Sequence, residues 1–189
     1  DIGSNDGTFL SFFNKNLKLF GCDPTIKKFK KHYRKDIKLI PDFFSSEKFK
    51  NQKFDLITSI AMFYDLENPN LFVNKIKKYL NQNGFWIFEL SYLVDMLKLN
   101  SFDTICHEHL EYYSLTSLEY LMKKHNLKIF KVSKNTINGG SIRCFVTHKN
   151  NFIYDKKNNI KFYKRLLLIE KKLKIKKNHI YDKFFLSIN

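Results

Sequence analysis

Residues 1–10, Asp1-Ile2-Gly3-Ser4-Asn5-Asp6-Gly7-Thr8-Phe9-Leu10, read as the end of a β-strand, a glycine turn and the start of a helix. A folded domain rarely begins at such a point, so the first strand is expected to continue upstream of Asp1. From here the chain alternates. Residues 8–13 are helical, and residues 17–22 are a strand closed by Asp23-Pro24. Thr25 caps a helix over 26–33, and residues 37–40 are a short strand ending at Pro41-Asp42. A brief helix is expected over 45–49 and a strand over 54–60. Asn68-Pro69 opens a helix reaching residue 80, because proline suits the first helical turn. Asn83-Gly84 is a turn before a strand over 85–90. This order predicts an α/β fold, a Rossmann-like, doubly wound, mostly parallel sheet with helices on both faces.

A second section follows. Residues 92–99 are helical, and 102–114 fit no regular pattern. Thr116-Ser117-Leu118-Glu119 reads as a capping box opening a helix to His125. Residues 127–132 and 141–146 form an antiparallel strand pair joined through Asn138-Gly139-Gly140. From about residue 159 the chain reads as a basic helical tail, broken near Asn178. The expected organisation is a core over 1–150, then the start of a helical domain over 151–189.

The chain has 189 residues, 43% of them apolar, enough for one domain with a real core. No run approaches the roughly 20 apolar residues of a membrane helix. The net charge is +16, and residues 155–189 carry eleven Lys/Arg against three Asp/Glu, so half of it lies in the tail. Such charge suits a nucleic acid or an anionic surface. Codon bias explains it more simply, since Lys, Asn, Ile, Phe and Tyr are all abundant and AT-rich codons favour all five. Cys22, Cys106 and Cys144 form no CxxC pair, which argues against a zinc site and fits reduced thiols in a cytoplasmic protein.

Ligands of open α/β sheets bind beyond the carboxyl ends of the strands. The polar residues expected there are those of the Asp1–Gly7 turn, Asp23, Asp42, Ser59 and Glu89. A phosphate could sit on the helix after a glycine turn, but Asp1 and Asp6 would repel a pyrophosphate. They suit a cationic ligand with an amino group and a sulfonium. Asp23 could accept from both ribose hydroxyls, and Asp42-Phe43-Phe44 offers an acceptor and an apolar wall for adenine. The set favours S-adenosylmethionine (SAM) over a dinucleotide. Its candidate contacts are Asp1, Gly3, Ser4, Asn5, Gly7, Asp23, Pro24, Asp42, Phe43 and Ser59. Asp and Gly also favour turns for purely local reasons.

Four ordered segments, residues 1–10 (DIGSNDGTFL), 41–44 (PDFF), 102–110 (FDTICHEHL) and 139–143 (GGSIR), resemble the sugar C-methyltransferases, and the likeness covers roughly residues 1–148. That resemblance implies a class I methyltransferase core that uses SAM to methylate the carbon beside the ketone of a nucleotide-linked keto-deoxysugar. It also implies an N-terminal zinc-binding domain, outside this chain, and a C-terminal domain that helps hold the nucleotide-sugar. It carries the family's base to His109 and its supporting acid to Glu108. His107 alternates away from His109 in an extended segment. His107-Glu108-His109 also lacks the HExxH spacing of a helical zinc site.

Carbon methylation needs a carbon nucleophile, and a base near pKa 6.5 suits removal of a ketone's α-proton. Candidate acceptor contacts are Tyr64, Glu89, Cys106, Tyr112, Gly140 and Arg143, the last able to pair with a phosphate. Many relatives have tyrosine where Cys106 stands, a better donor to an enolate oxygen. Residues 60–65 (IAMFYD) also depart from the family's Asn-rich, His-ending segment, so the acceptor sugar or the carbon methylated is expected to differ. Two competing readings share the core. A nucleic-acid methyltransferase is motivated by the basic tail, but no NPPY-like segment for a flipped base is present. The other is an inactive SAM-binding piece. The sequence does not fix the oligomeric state.

Overall fold

The computed structural model describes residues 1–44, 48–49 and 52–188. The core is one twisted sheet. Parallel strands β1 (Phe20–Cys22) and β2 (Lys38–Ile40) lie on one side. On the other lie β3 (Phe54–Ile60), β4 (Leu80–Ser91), β6 (Ser141–His148) and β5 (Leu127–Asn135), in that order. Ile2 joins the two sides through parallel bridges to Cys22 and Ser59. Strand β3 is parallel to β4, while β6 runs antiparallel to both neighbours. This is the doubly wound α/β sheet with an antiparallel strand pair that the alternation predicts.

Helices cover both faces. Strand side chains alternate, so neighbouring residues of β2 part company. Ile40 joins the main cluster with Phe63, Phe72, Trp86 and Phe88. Leu39 joins a second cluster of Leu10, Leu19, Ile26 and Tyr33 under α1 (Thr8–Ser11) and α2 (Ile26–Phe29). Helix α3 (Pro69–Tyr79) opens with Asn68, whose side chain accepts from Leu71 N–H at 2.9 Å, and buries Phe72, Val73, Ile76 and Tyr79. Helix α4 (Leu93–Leu99) follows β4.

Two expectations shift. Asn83-Gly84 is not a turn between elements but part of an irregularity inside β4, where Phe54 faces Leu80 and Leu56 faces Phe85. Gly84 is required there, since a Cβ would lie 2.8 Å from the Phe54 carbonyl oxygen. The capping box begins at Ser114 rather than Thr116. Ser114 Oγ accepts from Ser117 N–H at 3.1 Å, and Ser117 Oγ from Ser114 N–H at 3.0 Å, opening α5 (Leu115–Lys124). The tail breaks over residues 174–178, next to Asn178 as expected, between α6 (Lys157–Leu173) and α7 (His179–Leu186). Of the brief helix expected over 45–49, residues 45–47 lie outside the described residues, and 48–49 form a turn.

Helix α6 packs on the same core. Leu166 is buried in the main cluster, with Tyr163, Leu167, Ile169 and Leu173 against it. Its Glu170 is wholly buried. The carboxylate accepts from Leu115 N–H (2.6 Å), Thr116 N–H (2.8 Å), Tyr92 O–H (2.7 Å) and the Thr116 hydroxyl. An acid at a helix N-terminus satisfies donors that the helix leaves unpaired.

Candidate active site

Strands β1 to β4 deliver their polar residues to one end of the sheet. At the first, the glycine turn is built from left-handed residues, with φ of 75° at Gly3, 47° at Asn5 and 80° at Gly7. Gly3 N–H donates to the Cys22 carbonyl at 2.9 Å, and Gly7 N–H to the Ser4 carbonyl at 2.8 Å. Tyr33 buttresses the turn from below. Its hydroxyl donates to the Asn5 carbonyl at 2.7 Å and lies 2.8 Å from Ser4 Oγ. A Cβ at Gly7 would sit 2.4 Å from the Tyr33 ring. Nothing in the local sequence ties Tyr33 to a turn 26 residues away.

Asp23, at the end of β1, closes the turn. One carboxylate oxygen accepts from Asn5 N–H at 3.0 Å; the other accepts from Thr25 N–H at 2.6 Å and the Thr25 hydroxyl at 2.5 Å. Asp1 accepts from the Thr58 hydroxyl at 2.6 Å, which fixes it to β3. Asp42 and Phe43 lie at the end of β2, with Phe43 exposed. Pro24 is exposed beside Asp23. Ser59 is committed elsewhere: it is wholly buried and accepts from Trp86 Nε1–H at 2.9 Å, so its hydroxyl serves the core.

The His-Glu-His segment lies in the loop between α4 and α5. His109 Nδ1 is 2.8 Å from the Thr104 carbonyl oxygen. A carbonyl only accepts, so Nδ1 carries the hydrogen and Nε2 holds the lone pair in the neutral ring. The Tyr64 ring packs on His109 at 4.4 Å, and Glu111 N–H donates to the Tyr64 carbonyl at 3.1 Å. These two contacts bind the loop to the segment after β3. The exposed Glu108 carboxyl is held below its ordinary range by its own backbone N–H and then by the Cys106 thiol. Asp65, overlooked in the sequence, feels both catalytic candidates. Desolvation raises its carboxyl pKa, His109 opposes that rise, and Glu108 adds to it. Tyr112 donates weakly to the Thr104 carbonyl at 3.4 Å, and Cys106 is exposed.

Glu89 and Arg143 face each other across β4 and β6. Buried Glu89 accepts from Arg143 Nε–H at 2.6 Å and from Asn135 Nδ2–H at 2.7 Å. In this structure Arg143 therefore pairs with a carboxylate. Gly140 (φ 119°) is needed for close packing, since a Cβ would lie 2.5 Å from Asp95 Cβ, and its carbonyl accepts from Tyr92 N–H at 3.0 Å.

A cavity of about 460 Å³ runs between β1 and β3, lined by Leu17, Phe20, Gln52 and Phe54 toward their amino ends and reaching Asp1, Cys22 and Thr58 at the other. Among the described residues, no group of three or more His, Cys, Asp or Glu is arranged to hold a metal ion. No helix there is long and apolar enough to cross a membrane.

Comparison with known proteins identifies the family and the fold. A family model described as "Methyltransferase domain" matches residues 1–132. The C-methyltransferase NovU of Streptomyces niveus is 30% identical over 151 residues, covering 77% of this chain; the chain spans 36% of that relative's length. The fold resembles the plantazolicin methyltransferase BpumL, solved with a desmethyl analogue of plantazolicin and S-adenosylhomocysteine (SAH). The TM-score is 0.59 at 15% identity, over 79% of this chain and 76% of that one. It also resembles LepI solved with SAM, with TM-score 0.63 at 11% identity over 78% and 42% of the two chains. With its glycine turn, acidic strand ends and antiparallel final strand, the chain belongs to the methyltransferase domain family.

Proposed function

We propose that the chain is the cofactor-binding and base-bearing core of a SAM-dependent C-methyltransferase acting on a nucleotide-linked keto-deoxysugar. Family membership and the C-methyltransferase relative support the reaction class. The observation that carries the mechanism is the bond from His109 Nδ1 to the Thr104 carbonyl, which leaves Nε2 as a base.

The residues present fit the cofactor. Gly3 and Gly7 keep side chains off the turn, and Asp1, Asp23 and Asp42 supply acceptors and negative charge suited to a cationic amino acid and a ribose. Bound SAM supplies an electrophilic methyl group. Asp23 orients the ribose while holding the turn through Asn5 N–H. Neutral His109 takes the α-proton of the ketone at Nε2, and its electron pair moves into the enolate, the carbon nucleophile. The Thr104 carbonyl then stabilises the imidazolium through Nδ1–H. Glu108 stays ionised and offers an acceptor to the imidazolium or a sugar hydroxyl. Tyr64, whose hydroxyl is kept neutral by burial, walls the acceptor side.

The test separates the half-reactions. His109→Ala is expected to abolish both methyl transfer and the exchange of the keto-sugar's α-hydrogen into deuterated water. SAH binding by calorimetry should stay within about twofold. Near-normal exchange by that variant removes His109 as the base.

A further inference from the structure

We propose that Asn100 is a positioning residue through which helix α7 holds the turn that sets the His109 tautomer, an inference resting on the base reading above. Asn100 closes α4 in the left-handed region, at φ 55° and ψ 39°. Asparagine often takes that place for local reasons. Here its side chain is committed to a distant partner. Asn100 Nδ2–H donates to the Ser187 carbonyl at 3.0 Å, and Asn100 Oδ1 lies 2.8 Å from the Ser187 hydroxyl, 87 positions along the chain. A carbonyl only accepts, so the amide nitrogen faces the Ser187 carbonyl and the amide oxygen faces the hydroxyl. That hydroxyl is also 2.7 Å from the Phe184 carbonyl, so its one hydrogen is shared.

Helix α7 rests lightly on α4, which gives this pair its weight. Of the α7 residues only Phe184 is buried. A cavity of about 620 Å³ opens beside the pair, walled by Leu97, Leu173 and Phe184. From Asn100 the contacts continue to the base. The Asn100 carbonyl accepts from Phe102 N–H at 2.9 Å, which starts the turn over Phe102–Thr104. The Ser101 carbonyl accepts from the Thr104 hydroxyl at 2.8 Å and from Thr104 N–H at 3.3 Å. These bonds aim the Thr104 carbonyl at His109 Nδ1, 2.8 Å away. A displaced Asn100 therefore turns that carbonyl, and the ring hydrogen is no longer confined to Nδ1. The helical tail, whose charge alone would suit a nucleic acid, supports the proposed base by this route.

Glycine keeps a left-handed cap and removes only the side chain, so Asn100→Gly separates the tie from the fold. Nitrogen-15 spectra of the histidine rings read the tautomer, with the His109 signals identified by their loss in His109→Ala. In Asn100→Gly these signals should move from the Nδ1–H form toward the Nε2–H form. Exchange of the keto-sugar's α-hydrogen should slow by about fivefold, the factor that one neutral hydrogen bond carries, with SAH affinity within about twofold. Asn100→Asp still accepts from the Ser187 hydroxyl but donates nothing to its carbonyl, and should fall between. Asn126, another left-handed asparagine after a helix (φ 57°), supplies the control: Asn126→Gly should change neither readout. Unaltered ring signals and exchange in Asn100→Gly overturn the positioning role while His109 remains the base. A loss of SAH affinity as large as the loss of exchange overturns it as well, since that marks a general folding defect. If His109→Ala leaves exchange intact, the base reading falls first and the positioning role with it.

Discussion

The carboxylate of Glu170 ties the basic tail to the segment that carries the proposed base, and removing it has a size that follows from its partners. Tyr92 stands at the end of β4, while Leu115 and Thr116 open α5; Glu170 accepts from all three. The stretch between them holds α4 and the His109 loop, so one side chain on α6 clamps both ends of that stretch. Glu170→Ala leaves a buried tyrosine hydroxyl and the first donors of α5 without acceptors. Breaking such a buried charged network costs about 3–5 kcal/mol. For a chain of 189 residues, where about 1 kcal/mol shifts Tm by 2–4 °C, the melting point should fall by roughly 6–20 °C. Glu170→Gln keeps one acceptor oxygen but turns an NH₂ toward donors, and should lose roughly half as much. Thermal melting by circular dichroism reads the stability, and hydrogen exchange across residues 102–114 reads the loop. The variants should exchange faster there. An alanine variant that melts within about 2 °C of the parent would refute the clamp, because that shift corresponds to at most about 1 kcal/mol.

Asp23→Asn should weaken SAH binding by about tenfold to a hundredfold, checked by calorimetry. Its amide cannot accept from Asn5, Thr25 and a ribose together, and a lost charged bond is worth about 1.5–3 kcal/mol. Gly7→Ala should lower the urea midpoint by the equivalent of about 2–4 kcal/mol, since the new Cβ meets the Tyr33 ring at 2.4 Å and φ is +80°. Burial lowers the pKa of His125, which lies 3.1 Å from Asn70 Oδ1, so the unfolded chain binds that proton more tightly. Its stability contribution is complete above about pH 6.5 and lost as pH falls below it. Melting points measured from pH 7.5 to 5 should fall less steeply in His125→Gln.

Elements set by local periodicity were legible in the sequence. Strand β3 occupies residues 54–60 as its apolar run predicts, and α3 starts at Pro69 behind Asn68 because proline and an Asx cap act within four residues. Features that depend on distant partners were not. The cap of α5 moved to Ser114 because Thr116 donates to Glu170, 54 residues away. Ser59 looked like a strand-end ligand, yet β3 keeps its side chain on the buried face, where Trp86 Nε1 needs an acceptor. Arg143 looked free to meet a phosphate, and the antiparallel register of β6 set it opposite Glu89. Tyr33 and Thr104 act through tertiary contacts that no spacing encodes.

The same distinction governs the proposed chemistry. The identity of a base is a property of one residue, but its competence depends on which nitrogen holds the proton. In the proposed mechanism His109 is competent at Nε2 because residues 102–104 form a 3₁₀ turn whose last carbonyl meets Nδ1. That turn is fixed at its near end, where Ser101 N–H donates to the Met96 carbonyl at 3.1 Å and the Ser101 hydroxyl lies where a Cβ on Gly139 would intrude. A side chain at Gly139 would therefore push the turn, rotate the Thr104 carbonyl and release Nδ1. Gly139→Ala should slow α-hydrogen exchange while SAH affinity holds, since the glycine turn at Gly3 shares none of these contacts. A variant that weakened SAH binding as much as exchange would show that the two glycine loops are not independent, and the tautomer argument would lose its footing.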